Sequence, residues 1–210
     1  ALKYGRFPRQ LYESFHTFSR RYTYGCTKRR SYDQILRSSE NIIHIGKGGY
    51  TMDYKIVEKE AFTVIGAWKK FPYENAAEAI PNFWTEHYQS GGGSTVCGTY
   101  GVNIDESMGG KEFEYLIADD YKEGTEVPDG FITKTIPAFT WAVFPCRGSM
   151  PNAMQEVCRK IFSEWLPNCK DYEFAAGYNI EMYHDPSKYP NGVQDESYYS
   201  EIWIPVKKKA

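Results

Sequence analysis

Asp53–Trp68 reads DYKIVEKEAFTVIGAW, and Gly130–Pro145 reads GFITKTIPAFTWAVFP. Ala61-Phe62-Thr63 falls on Ala138-Phe139-Thr140 at an offset of 77 positions. The segments downstream of each copy correspond as well: IPNFWTEHYQ with CRKIFSEWLP, GTYGVNI with AAGYNIEMY, and FEYLIADD with SEIWIPVK. Two copies of one unit imply a closed, pseudo-symmetric domain rather than a solenoid, which needs more repeats to bury its faces. Halves related in this way make a cleft along their seam, where ligands bind preferentially.

Within each copy the residue types alternate between strand and helix signals. Tyr54–Val57, Phe62–Trp68, Thr99–Ile104 and Glu112–Asp119 are rich in β-branched and aromatic residues and read as strands. Glu74–Gln89 reads as a helix that Pro81 should kink or delay. In the second copy Phe131–Ile136, Phe139–Phe144, Ala176–Tyr183 and Tyr199–Val206 are the strands, and Pro151–Leu166 is the helix. Val157, Ile161 and Trp165 recur at four-residue spacing and form its buried stripe. Each unit is therefore strand–helix–strand–strand behind a leading strand, an α+β layer fold with a central ligand cleft.

Charge divides the chain in two. Residues 1–51 hold ten Lys/Arg against three acids, whereas the whole chain has a net charge of −2. The boundary predicts a basic N-terminal segment, 1–51, and an acidic globular body, 52–210. The five cysteines form no C-x-x-C pair, which predicts reduced thiols in a cytoplasmic protein. The four histidines are scattered and make no H-E-x-x-H, so no metal and no cofactor are expected. No apolar run reaches membrane-spanning length. No G-x-S-x-G occurs, and no Ser or Cys has an evident base partner, so no catalytic residue is assigned.

Aromatics make up 17% of the chain, enough to line a pocket as well as fill a core. Side chains alternate along a strand. Over Tyr178–Tyr183 one face carries Asn179, Glu181 and Tyr183; over Tyr199–Val206 one carries Tyr199, Glu201 and Trp203. The aliphatic positions Ile180, Met182, Ile202 and Ile204 should pack under the helices, which would gather both acids, the rings and the amide on the opposite face. A carboxylate among aromatic rings receives an organic cation by charge, dispersion and cation–π attraction. Asn179, Glu181, Tyr183, Tyr199, Glu201 and Trp203 are thus the candidate ligand-binding residues. Glu112 and Glu114 take the same register in the first copy. A pair of carboxylates also leaves room for acid–base hydrolysis of a small electrophile.

Residues 52–207 resemble the GyrI-like small-molecule-binding domain, the effector-binding domain of AraC-type transcription regulators. The resemblance rests on MDYKIVEKEAFTVIG, IPNFWTEHY, FEYLIA, PAFTWAVFPCRG, EWLP, IEMY and YYSEIWIPVKK. It implies tandem strand–helix–strand–strand units around a central cleft that takes lipophilic, often cationic compounds. The cation contact would fall to Glu181 or Glu201, with Tyr183, Tyr199 and Trp203 stacking. Some members resemble hydrolases that use a cleft Glu and Tyr, and others resemble gyrase inhibitors that bind a protein. In the head, ALKYG and ESFHTFSRRYTYG resemble the tail of an AraC-type helix-turn-helix, while Cys26-Thr27-Lys28-Arg29-Arg30 departs from it. That head reads as a degenerate remnant. The partners implied are a small molecule, and DNA through a complete regulator or weakly through the basic segment.

Overall fold

The computed structural model describes residues 52–209 and the backbone of strand β1 (Ile42–Ile43). The expected remnant of a DNA-binding head lies outside the described residues, apart from that backbone. The remaining strands are β2 (Tyr54–Lys59), β3 (Phe62–Pro72), β4 (Tyr100–Ile104), β5 (Glu112–Asp120), β6 (Ile132–Ile136), β7 (Phe139–Arg147), β8 (Tyr172–Phe174), β9 (Tyr178–Tyr183) and β10 (Tyr199–Lys208). They form one sheet, ordered β1-β2-β7-β10-β9-β4-β5-β3-β6, with β8 pairing on β10. Every pairing is antiparallel.

Helix α1 (Ala76–Gln89) packs on β3. It follows a 3₁₀ turn at Tyr73–Asn75 and runs on through Pro81. The proline falls early in the helix, where it removes a single backbone bond, and α1 buries Ala76, Ile80, Trp84 and His87. Helix α2 (Asn152–Lys160) packs on β7 and β10. It continues through a π-helical turn, Ile161–Trp165, into Leu166–Asn168. Met154, Cys158 and Ile161 are its fully buried positions, with Val157, Phe162 and Trp165 packed beside them.

Two short links dictate the shape of the sheet. Glu60-Ala61 joins β2 to β3, and Pro137-Ala138 joins β6 to β7, although each pair stands near opposite ends of the strand order. Six strand spacings of a flat sheet are roughly 29 Å. Three Cα steps span at most about 11 Å. The sheet must therefore curl until its ends approach, and Lys59 Nζ of β2 lies 4.4 Å from the Phe62 ring of β3.

Curling buries the helix-free face against itself. Its core holds Val64, Tyr100, Val102, Leu116, Ile136, Trp141, Val143, Tyr178, Ile180 and Trp203, with no helical residue among them. Ring contacts there skip a strand, Phe62 to Tyr100 at 6.4 Å and Phe139 to Tyr178 at 5.4 Å. A separate core fills the space between the other face and the two helices. Central strands β4 and β9 are buried along their whole length. Of the cysteines, Cys146, Cys158 and Cys169 are buried free thiols. Cys97 is disulfide-bonded, so the expectation of reduced thiols fails there.

Candidate functional site

The register of the β9–β10 hairpin separates the two predicted acids. Ile202 stands opposite Glu181, and Glu201 opposite Met182. Residues directly opposite one another share a face. Asn179, Glu181 and Tyr183 therefore share the helix-covered face with Ile202 and Ile204, while Tyr199, Glu201 and Trp203 point into the curl beside Ile180 and Met182. This corrects the expectation of one shared acidic face. The aliphatic residues of β9 and β10 do not lie on the same side, because both faces of this sheet are apolar cores and hydrophobicity cannot tell them apart. Both acids are buried all the same, Glu181 at 4% exposure and Glu201 at 0%.

Glu201 is fully engaged. Its Oε1 accepts from Tyr199 Oη at 2.6 Å and Lys55 Nζ at 3.3 Å, and its Oε2 accepts from Trp203 Nε1 at 2.7 Å. The lysine balances its charge, and the two rings named as ligand contacts are occupied in holding it. This cluster ties β2 to β10 across β7. On β5, Glu114 accepts from Trp68 Nε1 at 3.1 Å and Lys134 Nζ at 3.3 Å. Glu112 is exposed.

Glu181 has a different environment. Its Oε2 accepts from Tyr183 Oη at 2.5 Å and Tyr115 Oη at 3.1 Å. Its Oε1 has one long contact, 3.4 Å from Asn103 Nδ2. Trp84 of α1 donates Nε1–H to Tyr115 Oη at 2.9 Å and lies edge-on to Tyr183, ring centroids 5.6 Å apart. No cation is among its partners in the described residues. Burial pushes the Glu181 carboxyl up to about 7, against the pull of the bonds from Tyr183, Tyr115 and Asn103. Burial likewise raises Tyr115 and Tyr183, and the nearby Glu181 charge adds to it. The arrangement is a buried acid poised between neutral and charged, walled by rings and without a counter-charge among the described residues.

Four members of this cluster, Tyr115, Asn103, Trp84 and Gly101, escape sequence reasoning. Tyr115 adjoins the acids Glu112 and Glu114, but one residue along a strand is the opposite face. Gly101 carried a usable signal, because glycine inside a strand marks a close approach. It pairs with Glu181, and a Cβ there would overlap the Tyr115 hydroxyl and lie 2.5 Å from Glu181 Oε2. Gly101→Ala should displace the carboxylate, destabilise the domain by about 1–3 kcal/mol and weaken any ligand of Glu181. Urea denaturation and a binding titration on the same variant check both effects.

A cavity of about 730 Å³, lined by Thr99, Met182, Tyr183, His184 and Asp119 among others, opens at the Tyr183 end of β9. That volume suits a drug-sized molecule. No group of three or more His, Cys, Asp or Glu among the described residues is placed to hold a metal ion. No described helix is long and apolar enough to cross a membrane.

Comparison with known proteins agrees with this architecture. The family model described as Cass2, integron-associated effector binding protein, matches residues 55–206. The transcriptional regulator BrlR of Pseudomonas aeruginosa is 27% identical over 157 residues, which cover 74% of this chain and 56% of the regulator. The chain thus spans about half the length of that curated relative. Among solved structures, SAV2435 bound to tetraphenylphosphonium shares the fold with a TM-score of 0.64 at 22% identity, over 74% of this chain and 94% of that one. An integron cassette protein of Vibrio cholerae shares it with a TM-score of 0.55 at 15% identity, over 73% and 95%. The chain belongs to the Cass2 family of integron-associated effector binding proteins, within the GyrI-like effector-binding group that its sequence resembles.

Proposed function

We propose that residues 52–210 form the sensor domain of a transcription regulator and bind a lipophilic cation against Glu181. The observation that carries this reading is the buried Glu181 carboxylate, held by Tyr115, Tyr183 and Asn103 with no cation among its described partners. A monocation supplies the missing charge, and the rings of Trp84, Tyr115 and Tyr183 supply dispersion and cation–π attraction. Three donors already bond Glu181, so a cation without N–H groups loses little by being unable to donate. A structural neighbour binds tetraphenylphosphonium, a cation of that kind.

The strand order supports two related halves. Exchanging β2 for β6, β3 for β7, β4 for β9 and β5 for β10 reproduces the order β2-β7-β10-β9-β4-β5-β3-β6 in reverse. Glu181 then lies at the seam, where β9 pairs with β4. Tyr199, Glu201 and Trp203 are the internal brace of this domain rather than its receptor. Recognition of DNA belongs to a complete regulator, as the relation to BrlR suggests, with the basic segment 1–51 adding salt-sensitive attraction.

The test is calorimetric titration of the full chain with tetraphenylphosphonium. Glu181→Gln should weaken binding on the order of 30-fold or more, as loss of one partner of a desolvated charge pair does. Unchanged affinity in this variant, with the fold intact, rejects the reading. A second reading, hydrolysis of a small electrophile, draws on the near-neutral Glu181 beside two tyrosine hydroxyls. It requires product to accumulate from a bound compound and to stop doing so in Glu181→Gln.

A further inference from the structure

Asn179 is 0% exposed, and neither its Nδ2 nor its Oδ1 has a hydrogen-bond partner among the described residues. It lies on the helix-covered face two residues before Glu181, directly opposite Asn103 of β4. Asn103 turns its own Nδ2 to Glu181 at 3.4 Å and so leaves Asn179 unanswered. A buried amide with both ends unmet is costly, and an aliphatic residue would serve the surrounding core better. The cost is recovered when an incoming group bonds to the amide.

Resting on the cation-sensor reading, we propose that Asn179, beside Asn103, is a neutral polar subsite next to Glu181, so that the ligand carries a carbonyl, carboxamide or hydroxyl group about 7 Å from its positive charge. That separation is two residues along a strand. A carboxamide fits best, since it offers an acceptor to Nδ2 and a donor to Oδ1 at once. Affinity then comes from charge and ring contacts at Glu181. Selection among lipophilic cations comes from Asn179.

The probes are two triphenylphosphonium cations that differ only in the fourth arm, n-butyl against 3-carbamoylpropyl, titrated into the full chain. The carboxamide cation should bind about tenfold more tightly, the effect of pairing a buried amide otherwise unmet. Asn179→Leu should erase that preference, so that the two cations bind about equally. The melting temperature of ligand-free Asn179→Leu should equal or exceed that of the parent, because the substitution removes an unsatisfied buried group. Should the leucine variant not fold, Asn179→Ala gives the same comparison of the two cations. Equal affinities in the parent, or a preference that survives both substitutions, overturns the subsite. If both cations bind through Glu181 without an amide preference, the subsite alone is rejected. If neither binds, or binding ignores Glu181→Gln, the sensor reading fails and takes the subsite with it.

Discussion

Cation binding should tighten about a hundredfold between about pH 5 and about pH 8, because only the ionised Glu181 attracts a cation and its carboxyl titrates near 7. Below that value each unit of pH removes about nine-tenths of the competent form. The groups that face Glu181 are Tyr183 beside it on β9, Tyr115 from β5 and Asn103 from β4. The Cys146 and Cys158 thiols of β7 and α2 are also within its influence. Burial raises both tyrosines and both thiols, so none of them ionises in this window and, among these groups, Glu181 sets the slope.

The same carboxyl should act on stability with the opposite sign. Its folded value, about 7, stands above the ordinary 4.5, so the folded state holds this proton more tightly than the unfolded chain does. The resulting stability is complete below about pH 4.5, declines as pH rises, and is gone above about pH 7, a loss on the order of 3 kcal/mol. Other carboxylates change stability over the same range, so the comparison that isolates Glu181 is with Glu181→Gln. That variant should match the parent near pH 4.5 and melt roughly 5–10 °C higher near pH 8. Calorimetric titrations and thermal melts across the range check both slopes. A binding constant that does not vary with pH would show that Glu181 is not the cation's partner.

Glu201→Ala should do the reverse of Glu181→Gln, destabilising the domain by about 3–5 kcal/mol while leaving cation affinity within about threefold. Removing this carboxylate strands Lys55 Nζ, Tyr199 Oη and Trp203 Nε1, three donors aimed at one buried position. Trp203 is 3% exposed, so water cannot replace the acceptor of its Nε1 without opening the curl of the sheet, whereas the part-exposed Lys55 amine still reaches solvent. Glu181 is insulated from the change because it lies on the far side of the same sheet. Urea denaturation reads the first effect and a phosphonium titration the second. Lost cation affinity in a variant of undiminished stability would instead make Glu201 the receptor.

The contrast between these two acids shows what could be read in advance. The α+β class, the succession of strands and helices and the acidic residues of the last hairpin were legible, because they rest on local propensity and on the period of side-chain direction. Alternation identified Glu181 with Asn179 and Tyr183, and Glu201 with Tyr199 and Trp203, and the structure keeps each trio together. Alternation alone does not say how one strand is slipped against its neighbour, and a slip of one residue exchanges the faces. In a sheet with one wet face hydrophobicity settles that question. Here the curl buries one face and the helices bury the other, so Ile180 and Ile202 look alike in sequence yet belong to different cores.

The kind of fold, the order of its elements and the presence of buried acids among rings follow from residue type and spacing along the chain. Which acid is neutralised and which is left wanting follows only from how the folded strands meet. Lys55 reaches Glu201 from a strand 146 positions away, whereas the described neighbours of Glu181, Tyr115 and Asn103, bring it no positive charge. Partners so distant meet only through strand register and the closing of the sheet, and those are properties of the whole domain rather than of any stretch within it.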